Sequence, residues 1–242
     1  MESQTPATPA PRVRNVQSGC YGNFRQPVLA KTQRDIQSRR VIASLNILTP
    51  KGPQPVRIEI GGPKDDRAIR GWRTPSVHTR PELAADAIEF ATLAGKRWRY
   101  YLRRGEAVTS IPSLQRRIAD QPDGEFGFLL IARPTWRPAP SALGIAWCRR
   151  TWCHHIVLDF LAVHPKANDP AGGFRGLGGA MLMGVAAVAS AIDSPLVWGE
   201  ATATSSTFYQ KILGEPSIQD HFFIAAKQLE KLRNELLRRT GS

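Results

Sequence analysis

The sequence predicts an α+β fold, an α/β sandwich with a mixed central sheet, from the order of its apolar segments. Short apolar strands follow one another from residue 124, an apolar helix interrupts them at about 177–192, and two further strands alternate with two helices. This order of elements is typical of one sheet covered by helices. A chain of 242 residues is long enough for one domain with a sizeable core, with or without an extension.

Each strand is predicted from an apolar run between turn residues. GEFGFLLIARP and SALGIAWCRR flank the turn-prone TWRPAP and predict an antiparallel hairpin. HHIVLDFLAVHP is almost continuously apolar, which favours a central strand buried on both faces. PLVWGEAT and DHFFIAA predict the remaining two strands.

Helices are predicted where apolar residues recur at helical spacing. PELAADAIEFATLAGKRWRYYLRR opens with Pro and Glu, as helices do, and SSTFYQKIL predicts a short helix. AKQLEKLRNELLRRT is amphipathic, with leucines on one side and charges on the other. This terminal helix is expected to pack on its own core or to form a homodimer contact.

The chain is expected to divide at about residue 75. Residues 1–75 are predicted to be a basic, partly disordered N-terminal extension with two short strands, RRVIASLNIL and QPVRIEIGG, and residues 76–242 the folded domain. Residues 1–110 hold 19 Lys and Arg against 9 Asp and Glu, and the whole chain has a net charge of +13. Such a basic region suits nucleic acid, an acidic protein or an anionic ligand.

Composition also predicts the compartment. The chain has no apolar run approaching the roughly 18 residues of a membrane span, and its N-terminus has no apolar signal segment. Three cysteines, an odd number, do not make a disulfide framework. We therefore expect a cytoplasmic protein with reduced thiols and no membrane contact.

The segment FRGLGGAMLMGVAAVAS places glycines at 176, 178 and 179 directly before an apolar helix. Free N–H groups at a helix N-terminus bind phosphates, and glycines let the backbone approach them. A dinucleotide fingerprint would need Gly or Ala in place of Met181, although Glu200 after the next strand keeps NAD open as a ligand. A P-loop would need a following Gly-Lys-Ser/Thr. A further interpretation is that the glycines serve only close helix packing.

With the preceding strand, which ends in LAVHP, the stretch Arg175-Gly176-Leu177-Gly178-Gly179-Ala180 resembles the R-x-x-G-x-A signature of the GNAT superfamily of N-acetyltransferases. The block EATATSSTFYQKILG resembles a later motif of that family, with Thr202 where members often have Asn. The resemblance covers about residues 82–226. It implies a mixed, mostly antiparallel central sheet flanked by helices, acetyl-CoA as co-substrate, direct transfer to a primary amine, and no metal.

The resemblance also implies which residues hold the coenzyme. The backbone of one strand end would pair with the pantetheine arm, and the pyrophosphate would lie at the helix N-terminus. The alternative for the strand end is an ordinary buried strand. The predicted coenzyme-binding residues are Leu161, Ala162, Val163, Arg175, Gly176, Leu177, Gly178, Gly179, Ala180 and Thr202.

Three residues are candidates for catalysis. Tyr209 stands where family members often carry the hydroxyl that protonates the departing thiolate, although it also suits a helix core. Asp159 lies among apolar residues and is expected, by strand alternation, to face the same side as Leu161 and Val163. Burial would raise its pKa towards that of a useful base, unless it pairs with a nearby arginine. Glu200 is a second candidate base, and deprotonation through water is a third possibility.

Two further patterns suggest competing functions. Cys148, Cys153, His154 and His155 have no common zinc-ligand spacing, so we predict no metal site. KRWRYYLRR, residues 96–104, interleaves aromatic residues with five positive charges, which suits nucleic acid unless its aromatic residues pack inward.

The function is therefore predicted as an N-acetyltransferase. The alternatives are a basic nucleic-acid-binding protein and a non-catalytic acetyl-CoA-binding module. The acceptor stays open between a small amine, an antibiotic, a protein amino group and an aminoacyl-tRNA. The acyl group is acetyl or longer.

Overall fold

A computed structural model describes residues 40–240, which form one seven-stranded sheet. The strands lie side by side in chain order, and every neighbouring pair is antiparallel except β5 and β6, which are parallel. The predicted α+β class, with a mixed and mostly antiparallel sheet, is confirmed. The strands are β1 Val41–Thr49, β2 Gly52–Ile60, β3 Phe126–Pro134, β4 Gly144–Arg150, β5 Ile156–Val163, β6 Leu196–Glu200 and β7 His221–Ala225.

Helices cover both faces of this sheet. The helices are α1 Asp66–Arg70, α2 Pro81–Arg104, α3 Ile111–Asp120, α4 Pro165–Asn168, α5 Leu177–Ala191, α6 Ser206–Leu213 and α7 Ala226–Thr240. α5 is buried on nearly all sides because it lies between the sheet and α7. Within residues 40–240, no helix combines the length and the apolar character that crossing a membrane requires.

Each face of the sheet has its own core. Phe128 and Leu130 of β3 pack in the core that contains α5, whereas Leu129 and Ile131 pack with α2. β3 is therefore buried on both sides, as its continuous apolar run requires. The predicted hairpin is confirmed, because β3 and β4 pair antiparallel from Phe126↔Arg150 to Ala132↔Gly144.

Two strands of the predicted N-terminal extension belong to the sheet. β2 pairs with β3 from Val56↔Pro134 to Ile60↔Leu130, and β1 pairs with β2. Residues 41–60 are thus part of the sheet, because β2 pairs with β3 and the buried side chains of β1 and β2 pack in the core that contains α5. The part of the predicted extension before residue 40 lies outside the described residues.

Candidate active site

A gap in the sheet is the main feature of the site. β6 pairs with β5 only from Ile156↔Val197 to Leu158↔Gly199, whereas β5 continues to Val163. Beyond Leu158, β5 keeps β4 as its neighbour on one edge, and no strand within residues 40–240 pairs with its other edge. An extended ligand can therefore pair with backbone groups of the predicted segment 161–163.

A β-bulge in β5 changes the direction of the Asp159 side chain. Trp147 lies opposite Phe160 and Cys148 opposite Leu158, so Asp159 is the extra residue. The expected alternation is wrong for this reason. Asp159 pairs with Arg149, beside the core that contains α2, whereas Leu161 packs against the α5 core.

Both Asp159 oxygens accept hydrogen bonds from one guanidinium. Arg149 donates from Nε at 2.7 Å and from Nη2 at 2.9 Å, and its Nη1 lies 3.0 Å from Glu125 Oε2. The hydrogen bonds to Asp159 are the largest cause that raises the pKa of Arg149. Asp159 is thus paired with an arginine, which is one of the two alternatives that the sequence allowed. The pairing makes Asp159 a weaker candidate for the base than Glu200.

A large cleft of about 920 Å³ adjoins the end of β5. Val163 lines it together with the predicted segment 175–179, whereas Ala180 is fully buried and lines no part of it. Its cationic lining residues are Arg175, Lys211, Lys231, Arg238 and Arg239, and its carboxylates are Asp169 and Glu235. The cleft is therefore suited to an anionic ligand.

The segment before α5 is fixed by β1. The Leu48 N–H donates to the Arg175 carbonyl at 3.2 Å, and the Arg175 N–H donates to the Leu48 carbonyl at 3.0 Å. Gly176 caps α5 with φ at +87°, a conformation that favours glycine. Among the residues that the structure describes, no side chain caps the first turn with a hydrogen bond, so its N–H groups can bind a ligand.

The other two glycines have a packing role. A Cβ on Gly178 would lie 3.1 Å from the Phe208 ring, and a Cβ on Gly179 would lie 3.1 Å from Ile212 Cδ1. Both glycines therefore let α6 lie close to the start of α5. Close packing and open backbone amides occur together at this helix N-terminus.

The cations from α6 and α7 were not predicted. Glu235 accepts hydrogen bonds from Arg238 and Arg239, and these bonds lower its pKa to about 2. Within residues 40–240, Lys211 and Lys231 have no carboxylate partner. The polar side of AKQLEKLRNELLRRT was the sequence signal for the cations of α7, and Lys211 lies in the block EATATSSTFYQKILG.

A smaller cleft of about 320 Å³ adjoins the large one, and Val163, Asn168, Gly178 and Phe208 line both. Three carboxylates line the small cleft, those of Asp86, Asp159 and Glu200. Among the described residues no Lys or Arg lines it. The two clefts thus have opposite charge and meet beside the open edge of β5.

The predicted residues divide between these clefts. Leu161, Ala162, Thr202, Tyr209 and Glu200 line the small cleft. Asp86 and the aromatic Phe90 of α2 also line it and were missed, because nothing in the local α2 pattern places them beside β6.

Tyr209 is buried, and its ring stacks on Phe222 with centroids 4.0 Å apart. Burial raises the pKa of Tyr209, so its hydroxyl stays protonated at physiological pH. No group within the described range 40–240 hydrogen-bonds that hydroxyl. A phenol fixed in this way can donate a proton to a ligand in the small cleft.

Glu200 and Thr202 lie where β6 ends. The Glu200 side chain is exposed and, in the part of the chain that the structure describes, has no ion-pair partner. Thr202 Oγ1 lies 2.9 Å from Thr204 Oγ1, and Thr204 Oγ1 donates to Asp86 Oδ2 at 3.2 Å. The loop after β6 is thereby tied to α2.

His164, directly after β5, is buried and caps α4 by accepting from the Lys166 N–H at 3.1 Å. Burial, followed by the positive charge of Lys166, lowers the pKa of His164 from 6.5 to about 4. The unfolded chain therefore binds a proton at this residue between these pH values, and the folded chain does not. Stability from His164 is complete above pH 6.5 and is lost as the pH falls towards 4.

Replacing His164 with asparagine should make the free energy of unfolding less dependent on pH between 6.5 and about 4. Asparagine keeps an acceptor for the Lys166 N–H and does not titrate. Between pH 7 and pH 4, the free energy of unfolding should fall by up to about 3 kcal/mol more in the wild type than in His164→Asn. Urea unfolding across this range measures the difference, with His221→Asn as the exposed control. Parallel wild-type and His164→Asn profiles would contradict the assignment.

The cysteine and histidine residues of β4 and of the β4–β5 turn do not converge within residues 40–240. Cys148 is buried and Cys153 is exposed. His154 Nδ1 accepts from Arg150 Nε at 3.2 Å. Among residues 40–240, no three His, Cys, Asp or Glu side chains form a group suited to a metal ion.

In the segment KRWRYYLRR of α2, Trp98 and Tyr101 are buried, so these two rings are not available to stack on bases. Lys96, Arg97 and Arg103 are exposed. A nucleic-acid partner stays a prediction that rests on these charges.

No protein-family model matches this sequence, and no curated protein matches it. Solved structures do match. An acetyltransferase of the GNAT family from Staphylococcus aureus Mu50 is 10% identical, and the alignment covers 69% of this chain and 97% of that one, with a TM-score of 0.41. A GNAT acetyltransferase from Listeria monocytogenes 4b F2365 is 12% identical over 75% of this chain and 99% of that one, with a TM-score of 0.38.

Nourseothricin acetyltransferase is 14% identical over 64% of this chain and 81% of that one, with a TM-score of 0.36. The Staphylococcus and Listeria proteins belong to the family whose motifs the sequence resembles.

Proposed function

We propose that this chain is an N-acyltransferase that transfers an acetyl group from acetyl-CoA to a primary amine. The observation that carries this proposal is the meeting of a cationic cleft and an anionic cleft beside the open edge of β5. A nucleotide thioester is anionic and an amine is cationic at neutral pH. The charges of the two clefts therefore direct the coenzyme to one cleft and the amine to the other, and the two substrates meet where the clefts join.

The large cleft suits the coenzyme. The α5 N-terminus and Arg175 would hold the pyrophosphate, since free N–H groups and a guanidinium both favour phosphate. Lys211 and Lys231 add positive charge along the same cleft. The backbone of residues 161–163 would pair with the pantetheine arm and direct the thioester into the gap between β5 and β6.

The small cleft suits the amine. Glu200 would take a proton from the ammonium group, directly or through water, and leave the neutral amine that can attack. The amine nitrogen then bonds to the thioester carbon, the carbon–sulfur bond breaks, and Tyr209 would protonate the departing sulfur. The second proton that the nitrogen loses would restore the Tyr209 hydroxyl. One ammonium and one acetyl-CoA give one amide, one CoA thiol and one released proton.

The size of the small cleft favours one class of acceptor. A volume of about 320 Å³ is at the lower end of the range for small-molecule pockets. A small amine fits it whole, whereas a protein or an aminoacyl-tRNA would enter with one amino group only. We propose a small amine.

Calorimetric titration with acetyl-CoA tests the coenzyme site, with NAD as the control ligand. We expect saturable binding of acetyl-CoA and none of NAD. Arg175→Glu should weaken acetyl-CoA binding about tenfold to a hundredfold, because it removes a charged phosphate contact. This substitution avoids the steric effect of a side chain at Gly178.

Arg116→Glu, at an exposed position of α3, is the control for net charge. If NAD bound instead of acetyl-CoA, or if Arg175→Glu and Arg116→Glu behaved alike, the coenzyme assignment would be wrong. Acetyl-CoA binding without turnover on any amine would indicate a non-catalytic module.

A further inference from the structure

The carboxylates of the small cleft exceed the number that one amine requires. Of its three, Asp159 is neutralised by Arg149. Asp86 and Glu200 have no Lys or Arg partner among residues 40–240. Two negative charges therefore face one cavity in a chain whose net charge is +13.

Asp86 and Glu200 differ in position, in burial and in their hydrogen bonding. Glu200 is exposed at the end of β6, beside the gap where the acyl group would be transferred. Asp86 is half-buried on α2, and its Oδ2 accepts a hydrogen bond from Thr204. Asp86 is thus oriented by the loop after β6, and its other oxygen is left for a ligand.

The cavity also has an apolar wall. The rings of Phe90 on α2 and Phe160 on β5 lie 5.9 Å apart, and both line the small cleft with Ala87. A volume of about 320 Å³ corresponds to about ten water molecules at roughly 30 Å³ each. An aliphatic chain of a few carbons with an amino group at each end fits this space.

We infer that the acceptor is an aliphatic diamine whose second ammonium group is held by Asp86. This inference rests on the proposed function. The amine beside Glu200 loses its proton and is acetylated, while the ammonium at Asp86 keeps its proton and anchors the molecule. Asp86 is therefore a specificity-determining residue, because a monoamine leaves its charge unpaired in the cavity.

Steady-state acetylation of two matched amines tests this. 1,4-Diaminobutane and n-butylamine share the carbon chain and differ in the second amino group. The wild type should show a kcat/KM about tenfold to a hundredfold higher for the diamine, mainly through KM. Asp86→Asn keeps an acceptor for Thr204 and removes the charge, so the ratio of the two kcat/KM values should fall towards one.

Glu89→Gln is the matched control, because Glu89 is an exposed carboxylate of the same helix and does not line the cleft. It should leave the ratio as in the wild type. Equal kcat/KM for both amines in the wild type, or an unchanged ratio in Asp86→Asn, would overturn the inference. Failure of the proposed function is a separate result, in which neither amine is acetylated.

Discussion

Replacing Glu200 with glutamine should lower kcat by about 10²- to 10⁴-fold, the usual contribution of a general base. Glutamine keeps the size of the side chain and cannot take a proton from the amine. Glu200 does not line the large cleft, so the affinity for acetyl-CoA should stay at its wild-type value. Steady-state kinetics with an amine acceptor, combined with calorimetry, separates the two effects.

Glu230→Gln is the control, since Glu230 is an exposed carboxylate of α7 that lines neither cleft. If Glu200→Gln kept the wild-type kcat, Asp159 or a water-mediated route would be the base. Asp159→Asn, which breaks the pair with Arg149, would then be the next variant.

Tyr209→Phe should lower kcat about a hundredfold, because it removes the hydroxyl that we propose as the proton donor to the departing thiolate. The hydroxyl has no partner among residues 40–240, and the stacking on Phe222 needs only the ring. Stability should therefore be preserved, which urea unfolding measures alongside the kinetics.

Tyr100→Phe, on the exposed side of α2, is the matched control and should change neither quantity. A Tyr209→Phe variant with the wild-type kcat would show that Tyr209 is a core residue only. A core role is the alternative interpretation that the position of Tyr209 on a short helix also suggests.

The order of the elements from β3 onwards could be predicted because each one carries a strong local signal. The apolar runs of β3, β4 and β5, and the glycine start of α5, are visible within a short window of sequence. α3 was missed, although Ser110 caps it and Pro112 lies in its first turn, because it is short and buries little. The place of β1 and β2 in the sheet depends on β3, which lies far along the chain.

The sequence indicates which residues line the clefts where one segment supplies them, and it does not where distant segments meet. The candidate residues from 175 to 179 lie together along the large cleft, because a single helix start holds them. Lys231 and Asp86 reach the clefts only through the packing of α7 and α2. The direction of Asp159 depends on a one-residue bulge, which strand alternation does not reveal.

The charges of the two clefts come from different parts of the fold. The cations belong to the α5 start, α6 and α7, whereas the carboxylates belong to α2, β5 and β6. Substitutions on the inner side of α2 should therefore change the small cleft and leave the cationic lining of the large cleft as it is. Such a division makes this chain a good starting point for directed evolution, with Asp86, Ala87 and Phe90 as the positions to randomise.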